Sequence, residues 1–198
     1  MENGPINENF DYGLHIKDCY NTGKISGKQY IGGLIGDIEF DDYYGNQYIY
    51  PGAIIENCYN SGEVEGTDSV GGLIGEYINS IILRNSYNIG EVKGNTAVGG
   101  IVAYTANWYN DSVNIIKNCY YYKEDSGINS NIEFIGKIKE DCKETGKYEY
   151  TDNGVKNTIS QLNSKDFIKN TLKWDVYENG SGVWKIDENG NPKLSYQQ

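Results

Sequence analysis

The chain has 198 residues, 38% of them hydrophobic, which is enough for one domain with its own core and too apolar for a disordered chain. Its 17 basic residues face 28 acidic ones, and a net charge of -11 excludes the basic patch a nucleic acid needs while suiting a basic partner or bound cations. No apolar run approaches the roughly 18 residues of a membrane span, and the one histidine, His15, excludes a multi-histidine zinc site.

The first residues, Met1 to Pro5, hold neither a basic segment nor an apolar one, so no secretion signal is read there. The chain is expected to be cytoplasmic or a piece of a longer one. From Ile16 onward four segments align on a small residue. They are Ile16-Lys-Asp-Cys19-Tyr-Asn-Thr-Gly23, Ile55-Glu-Asn-Cys58-Tyr-Asn-Ser-Gly62, Leu83-Arg-Asn-Ser86-Tyr-Asn-Ile-Gly90 and Ile116-Lys-Asn-Cys119-Tyr-Tyr-Tyr-Lys123. The first three continue in register through Ile25, Val64 and Val92, then Ile31, Val70 and Val98, then paired glycines and an apolar strand.

The anchors Cys19, Cys58, Ser86 and Cys119 stand 39, 28 and 33 residues apart. A constant unit of 23 residues leaves insertions at 37–52, 76–80 and 104–113. Constant units with unequal insertions at one point are what stacked coils show when loops leave at one corner. Within the unit, Gly-Glu-Val-Glu-Gly alternates like a strand, and its glycines are expected at corners with φ > 0. The apolar Gly-Gly-Leu-Ile-Gly strand suits close approach of a neighbouring layer. The pattern therefore predicts an all-β fold, a β-solenoid (parallel β-helix-like) of about four coils over 1–136. Predicted ladders are Ile16/Ile55/Leu83/Ile116 and Ile25/Val64/Val92, both buried, with a Tyr20/Tyr59/Tyr87/Tyr120 stack and an Asn21/Asn60/Asn88 amide ladder.

The strands Gly33-Leu34-Ile35-Gly36 and Gly72-Leu73-Ile74-Gly75, with Asn57-Cys58-Tyr59-Asn60-Ser61-Gly62, resemble the GLUG repeat of bacterial surface proteins. The resemblance covers roughly residues 12–136. The third copy departs from it at Ile101-Val102-Ala103, and the fourth has no paired glycines. Such repeats occur in large adhesin-like proteins and beside the catalytic domain of secreted IgA-specific metallopeptidases. The resemblance implies a surface-exposed repeat module of an exported protein. It implies no reaction and brings no catalytic residue.

Residues 137–198 change character. A short helix is predicted within Thr158–Leu172, with Ser164 as N-cap, followed by a hairpin of Val183–Ile186 with Pro192–Tyr196. Open ends of stacked coils expose core and strand edges, so this segment is expected to be a small α+β cap.

Candidate chemistry is sparse. His15 is a general base or, far more simply, an outward strand residue, since no nucleophile is arranged around it in any motif. The three anchor cysteines are expected as small buried free thiols. A Cys19–Cys58 disulfide is the alternative, although parallel ladder geometry disfavours it. Cys142 falls outside the pattern. Asp37, Glu39, Asp41 and Asp42 open the first insertion and could bind Ca²⁺ or offer paired carboxylates to a glycan, but a solvated acidic loop is the commoner outcome. Asp187-x-Asn189-x-Asn191 resembles the start of a calcium loop without its later Gly and Glu, so a hairpin turn is expected.

Aromatics mark the insertions: Phe40, Tyr43, Tyr44, Tyr48 and Tyr50 in the first, and Tyr104, Trp108 and Tyr109 in the third. They form a contact surface for a host protein or glycan, or they fold back on the coils. The sequence thus leads us to expect a non-catalytic, monomeric surface module, adhesive or spacer-like, in a larger exported bacterial protein. It would act outside the cell or on the cell surface, without a cofactor or membrane span of its own. An accessory region of a secreted metallopeptidase and a glycan-cleaving β-helix enzyme are the alternatives.

Overall fold

A computed structural model describes residues 13–39, 43–44, 47–48, 52–106, 113–124, 129–139, 147–150, 154–155 and 159–196. The fold is all-β, with parallel sheets carrying most of the chain. The first sheet stacks Leu14–Lys17, Ala53–Glu56, Ile81–Arg84, Val113–Lys117 and Lys147–Tyr150. The second stacks Tyr20–Asn21, Tyr59–Asn60, Tyr87–Asn88, Tyr120–Tyr122 and Gly154–Val155. The third holds Ile25–Ser26, Val64–Glu65 and Val92–Lys93. The fourth joins Gln29–Gly32 and Ile35–Glu39 to Asp68–Gly71 and Ile74–Ile78, then to Thr96–Ala106 and Glu133–Ile138. The chain visits the sheets in this order and then returns to the first, one strand further on.

Register follows the alignment of the anchors. Ile16 pairs with Ile55, Ile55 with Leu83, and Leu83 with Ile116. Val64 pairs with both Ile25 and Val92. Burial is complete only in the middle of each ladder: Ile55, Leu83 and Val64 are fully buried, whereas Ile16 and Ile25, in the first pass, are half-buried. Tyr20, Tyr59 and Tyr87 stack with ring centroids 5.2 Å apart. Asn21 Nδ2 donates to Asn60 Oδ1 at 2.8 Å, and Asn60 Nδ2 to Asn88 Oδ1 at 2.9 Å. Each of these amides also closes its own turn, the Oδ1 atoms accepting from the N–H of Gly23, Gly62 and Gly90.

Two expectations are corrected. The glycines flanking the third-sheet strands have no positive φ. That conformation falls on Asp18, Asn57, Asn85 and Asn118, just before the anchors, and on Tyr30, Ser69 and Ala97. Asn and Asp tolerate it because their short polar side chains bond locally. Here Asn57 Nδ2 donates to Asp18 Oδ1 and Asn118 Nδ2 to Asn85 Oδ1. The paired glycines serve space instead, since a Cβ on Gly33 would strike the carbonyl of Gly72, and one on Gly72 that of Gly100. The constant unit is also longer than 23 residues, because fourth-sheet pairing runs on through Asp37–Glu39, Glu76–Ile78 and Tyr104–Ala106. Their middle residues Ile38, Tyr77 and Thr105 are buried. The segment 76–80 is therefore ordinary coil, not an inserted loop.

The C-terminal segment contains a short helix, Ile159–Leu162, then a helical turn around Phe167–Thr171 and the hairpin Trp184–Ile186 with Pro192–Leu194. Ser164 caps the turn by accepting the Phe167 N–H at 3.2 Å. From Leu162 on, the segment lies along the tyrosine face. Leu162, Ile168, Leu172, Trp174 and Trp184 form one buried cluster with Tyr59 and Tyr87. Tyr59 Oη donates to Pro192 O at 2.6 Å, Trp184 Nε1 to Asp18 Oδ1 and Trp174 Nε1 to Asn85 O, while Asn118 Nδ2 donates to Thr171 O. The tyrosine row is an exposed apolar stripe until this strap buries it, so the strap ties the first pass to the fourth. Parallel pairing also continues past residue 136, through Lys147–Tyr150 and Gly154–Val155.

Candidate functional site

Of the aromatic contact residues expected from the sequence, Tyr104 is placed in full. Tyr43, Tyr44 and Tyr48 lie in a small antiparallel pair of strands, Tyr43–Tyr44 with Gln47–Tyr48. Phe40, Tyr50, Trp108 and Tyr109, like Asp41, Asp42 and Cys142, lie outside the described residues.

Tyr104 lines a groove of about 300 Å³ on the outer face of the fourth sheet. Register explains who meets there. Glu76 pairs with Asp37 on one side and with Tyr104 on the other, and Tyr104 pairs with Lys137. A second row sets Gln29 beside Asp68 and Asp68 beside Thr96, whose Oγ1 donates to Asp68 Oδ1 at 2.6 Å. Tyr30, Ser69 and Ala97 form another wall, all with left-handed backbone at φ 56, 51 and 46°. Such conformations cost about 1–3 kcal/mol each and persist only where the surroundings dictate them.

The electrostatics centre on Glu76, which is 9% exposed. Burial first, then the charges of Asp37, Glu39 and Asp68, push its carboxyl up to about 7. Among the described residues no hydrogen bond or ion pair reaches that carboxylate. Tyr30 is pushed up in turn, chiefly by the charge of Glu76. Lys137 and Lys139 close the groove at its far side. Asp37–Glu39 and Tyr104–Ala106 lead directly into the first and third insertions, so the groove sits at their roots.

The remaining candidates are structural in placement. His15 is exposed, with Nε2 3.3 Å from Glu56 Oε1. Glu56 is the centre of that ladder: Arg84 Nε donates to it at 2.8 Å and Lys17 Nζ lies 3.2 Å away. Burial pulls its carboxyl up, but Arg84 and Lys17 outweigh burial and hold it below the ordinary range. Cys19, Cys58 and Cys119 are free thiols. Each anchor donates to the carbonyl two residues back, Cys58 Sγ to Glu56 O at 3.1 Å and Ser86 Oγ to Arg84 O at 2.9 Å. The position thus selects a small donor, not merely a small side chain. Burial pushes the Cys58 and Cys119 thiols up to about 12. Asp187 Oδ1 accepts the N–H groups of Asn189 and Asn191 and so closes the hairpin turn.

The sequence reading missed Glu76, Tyr30 and Lys137. The signal was there in Asp37-Ile38-Glu39, whose polar–apolar–polar alternation marks strand rather than loop. No family model, no curated protein and no solved structure matches the chain.

Proposed function

We propose that the chain is a β-solenoid module of about four coils, acting as a non-catalytic contact scaffold in a larger exported bacterial surface protein. The observation that carries this reading is the division between fixed and variable parts. Inward ladders and paired glycines serve stacking, whereas the groove around Glu76 and Tyr104 opens at the roots of the insertions. Loops on a rigid scaffold are where recognition concentrates. The GLUG-like pattern supports the surface placement. The test replaces 41–50 by a short Gly-containing turn, outside the strand that ends at Glu39. Binding of the whole chain to a mammalian glycan array and to a panel of host surface proteins should fall, with the melting temperature unchanged. Undiminished binding would reduce the module to a spacer.

A second reading, a glycan-cleaving enzyme, draws support from a carboxyl tuned to about 7 beside other carboxylates. Reducing-end release from a polysaccharide panel, abolished in Glu76→Gln, would establish it. No release from any polysaccharide would end it.

A further inference from the structure

The groove is not uniformly acidic. Across four neighbouring strands one register row reads Asp37, Glu76, Tyr104, Lys137, and its last three members line the groove. The parallel row begins at Glu39, passes Ile78 and Ala106, and ends beside Lys139. Charge therefore changes sign along the groove, with carboxylates at one end and ammonium groups at the other. Strands lie about 4.8 Å apart, so Glu76 and Lys137, two strands apart, are separated by roughly 10 Å. A peptide in the polyproline II conformation advances about 3.1 Å per residue with three residues per turn, so the side chains of residues i and i+3 share one face at nearly that spacing, about 9 Å.

Glu76 is the second, independent observation. It is a carboxylate only 9% exposed, lining the groove, with no hydrogen bond or ion pair among the described residues. Buried charge without a partner is costly, and an incoming cation would supply the missing partner. Tyr30, 36% exposed, and Tyr104 flank the same space with rings that accept a guanidinium or ammonium face. No group of three or more His, Cys, Asp or Glu among the described residues is disposed to hold a metal ion, which favours an organic cation.

We propose that the groove binds a segment of a partner protein in the polyproline II conformation that carries Arg or Lys followed three residues later by Asp or Glu, the cation entering beside Glu76 and the anion meeting Lys137. The inference rests on the contact-scaffold reading and gives that scaffold a class of ligand. It also sets the sign of a pH effect. The groups facing Glu76 are Asp37 and Glu39 from one neighbouring strand, Asp68 and Tyr30 from the inner ones, Tyr104, and Lys137 with Lys139 beyond. A bound cation favours ionised Glu76, so binding strengthens as pH rises through about 7 and is lost below it.

The test is a titration of the isotope-labelled whole chain with the blocked hexapeptide Gly-Arg-Ala-Ala-Glu-Gly, followed by amide shifts and calorimetry. Saturable shifts are expected at Glu76, Tyr104 and Lys137, with affinity about tenfold higher at pH 8 than at pH 6. Glu76→Gln, which removes a charge held among like charges and so should fold, is expected to weaken binding about tenfold and flatten the pH dependence. Lys137→Glu should weaken it too, and a peptide with Lys in place of its Glu should restore it. Equal binding of a peptide with Gln in place of Arg would overturn the proposal. So would an unchanged Glu76→Gln titration, or tighter binding at lower pH of a neutral oligosaccharide to the same amides. If the peptide behaves as expected but replacement of 41–50 leaves array binding intact, the scaffold reading fails alone. If the array result holds and Glu76→Gln changes nothing, the groove assignment fails alone.

Discussion

Val64→Asp is the sharpest perturbation of the stacked ladders. Val64 is fully buried, paired on both sides, and packed with Val70 and Val92 against Ile31, Val98 and Ile132. Every residue of that cluster is apolar. Losing the buried valine side chain costs about 1.5–3 kcal/mol. Burying an unpartnered polar group costs at least ~2 kcal/mol more. The total, about 4 kcal/mol or above, is comparable with the whole stability of a small domain, roughly 5–15 kcal/mol. Urea unfolding at pH 7, followed by far-ultraviolet circular dichroism, reads the loss. Burial raises the folded-state pKa of the new carboxyl above its unfolded value near 4. The added cost of charge therefore vanishes below about pH 4 and grows as pH rises, so the variant should regain part of its stability on acidification relative to the parent. The neighbouring exposed Glu65→Gln should stay within about 0.5 kcal/mol. Equal, small effects at both positions would refute the register, because a shift of one residue exchanges the inward and outward faces.

Cys58→Ser should leave stability within about 1 kcal/mol of the parent, since Ser86 fills the equivalent place with the same donor, whereas Ser86→Ala should cost about 1–3 kcal/mol because the buried Cys58 N–H donates to Ser86 Oγ. Non-reducing mass spectrometry should find Cys19, Cys58 and Cys119 as thiols, with exposed Cys19 alkylated first and Cys58 and Cys119 protected by burial and thiols pushed up to about 12. Trp184→Ala should cost about 3–5 kcal/mol and raise tyrosine quenching by acrylamide, because the strap then lifts from the ring stack. Glu76 is raised above its ordinary 4.5, so its charge opposes folding once pH exceeds that value; Glu76→Gln should raise the urea midpoint at pH 8 and leave it unchanged near pH 4.

The ladders were legible because each serves a single physical demand that recurs at fixed spacing. An inward β-branched residue, a stacking tyrosine and a turn-closing asparagine must be chemically alike in every pass. The anchor was legible as small but not as a donor, since its acceptor is a backbone carbonyl that no side chain announces. Glycine is the ordinary occupant of left-handed corners, but none of the glycines flanking the third-sheet strands adopts one. The Asx residue before every anchor, Asp18, Asn57, Asn85 and Asn118, was the better sign. The groove escaped for another reason. Its members, Tyr30, Asp68, Glu76 and Lys137, come from different passes and different offsets, so only parallel register brings them side by side. An open strand end is the liability the sequence makes evident and suggests an end cap, yet the stacked Tyr20, Tyr59 and Tyr87 form an apolar stripe that also demands cover.

The central claim is that equivalent residues of successive passes lie directly against one another. The most direct measurement is a nuclear Overhauser spectrum of tyrosine-labelled chain in a deuterated background. Stacked centroids 5.2 Å apart predict ring-to-ring cross-peaks for Tyr20–Tyr59 and Tyr59–Tyr87, and none for Tyr20–Tyr87. A Tyr20–Tyr87 cross-peak in the absence of the other two would contradict the stacking and the groove built on it.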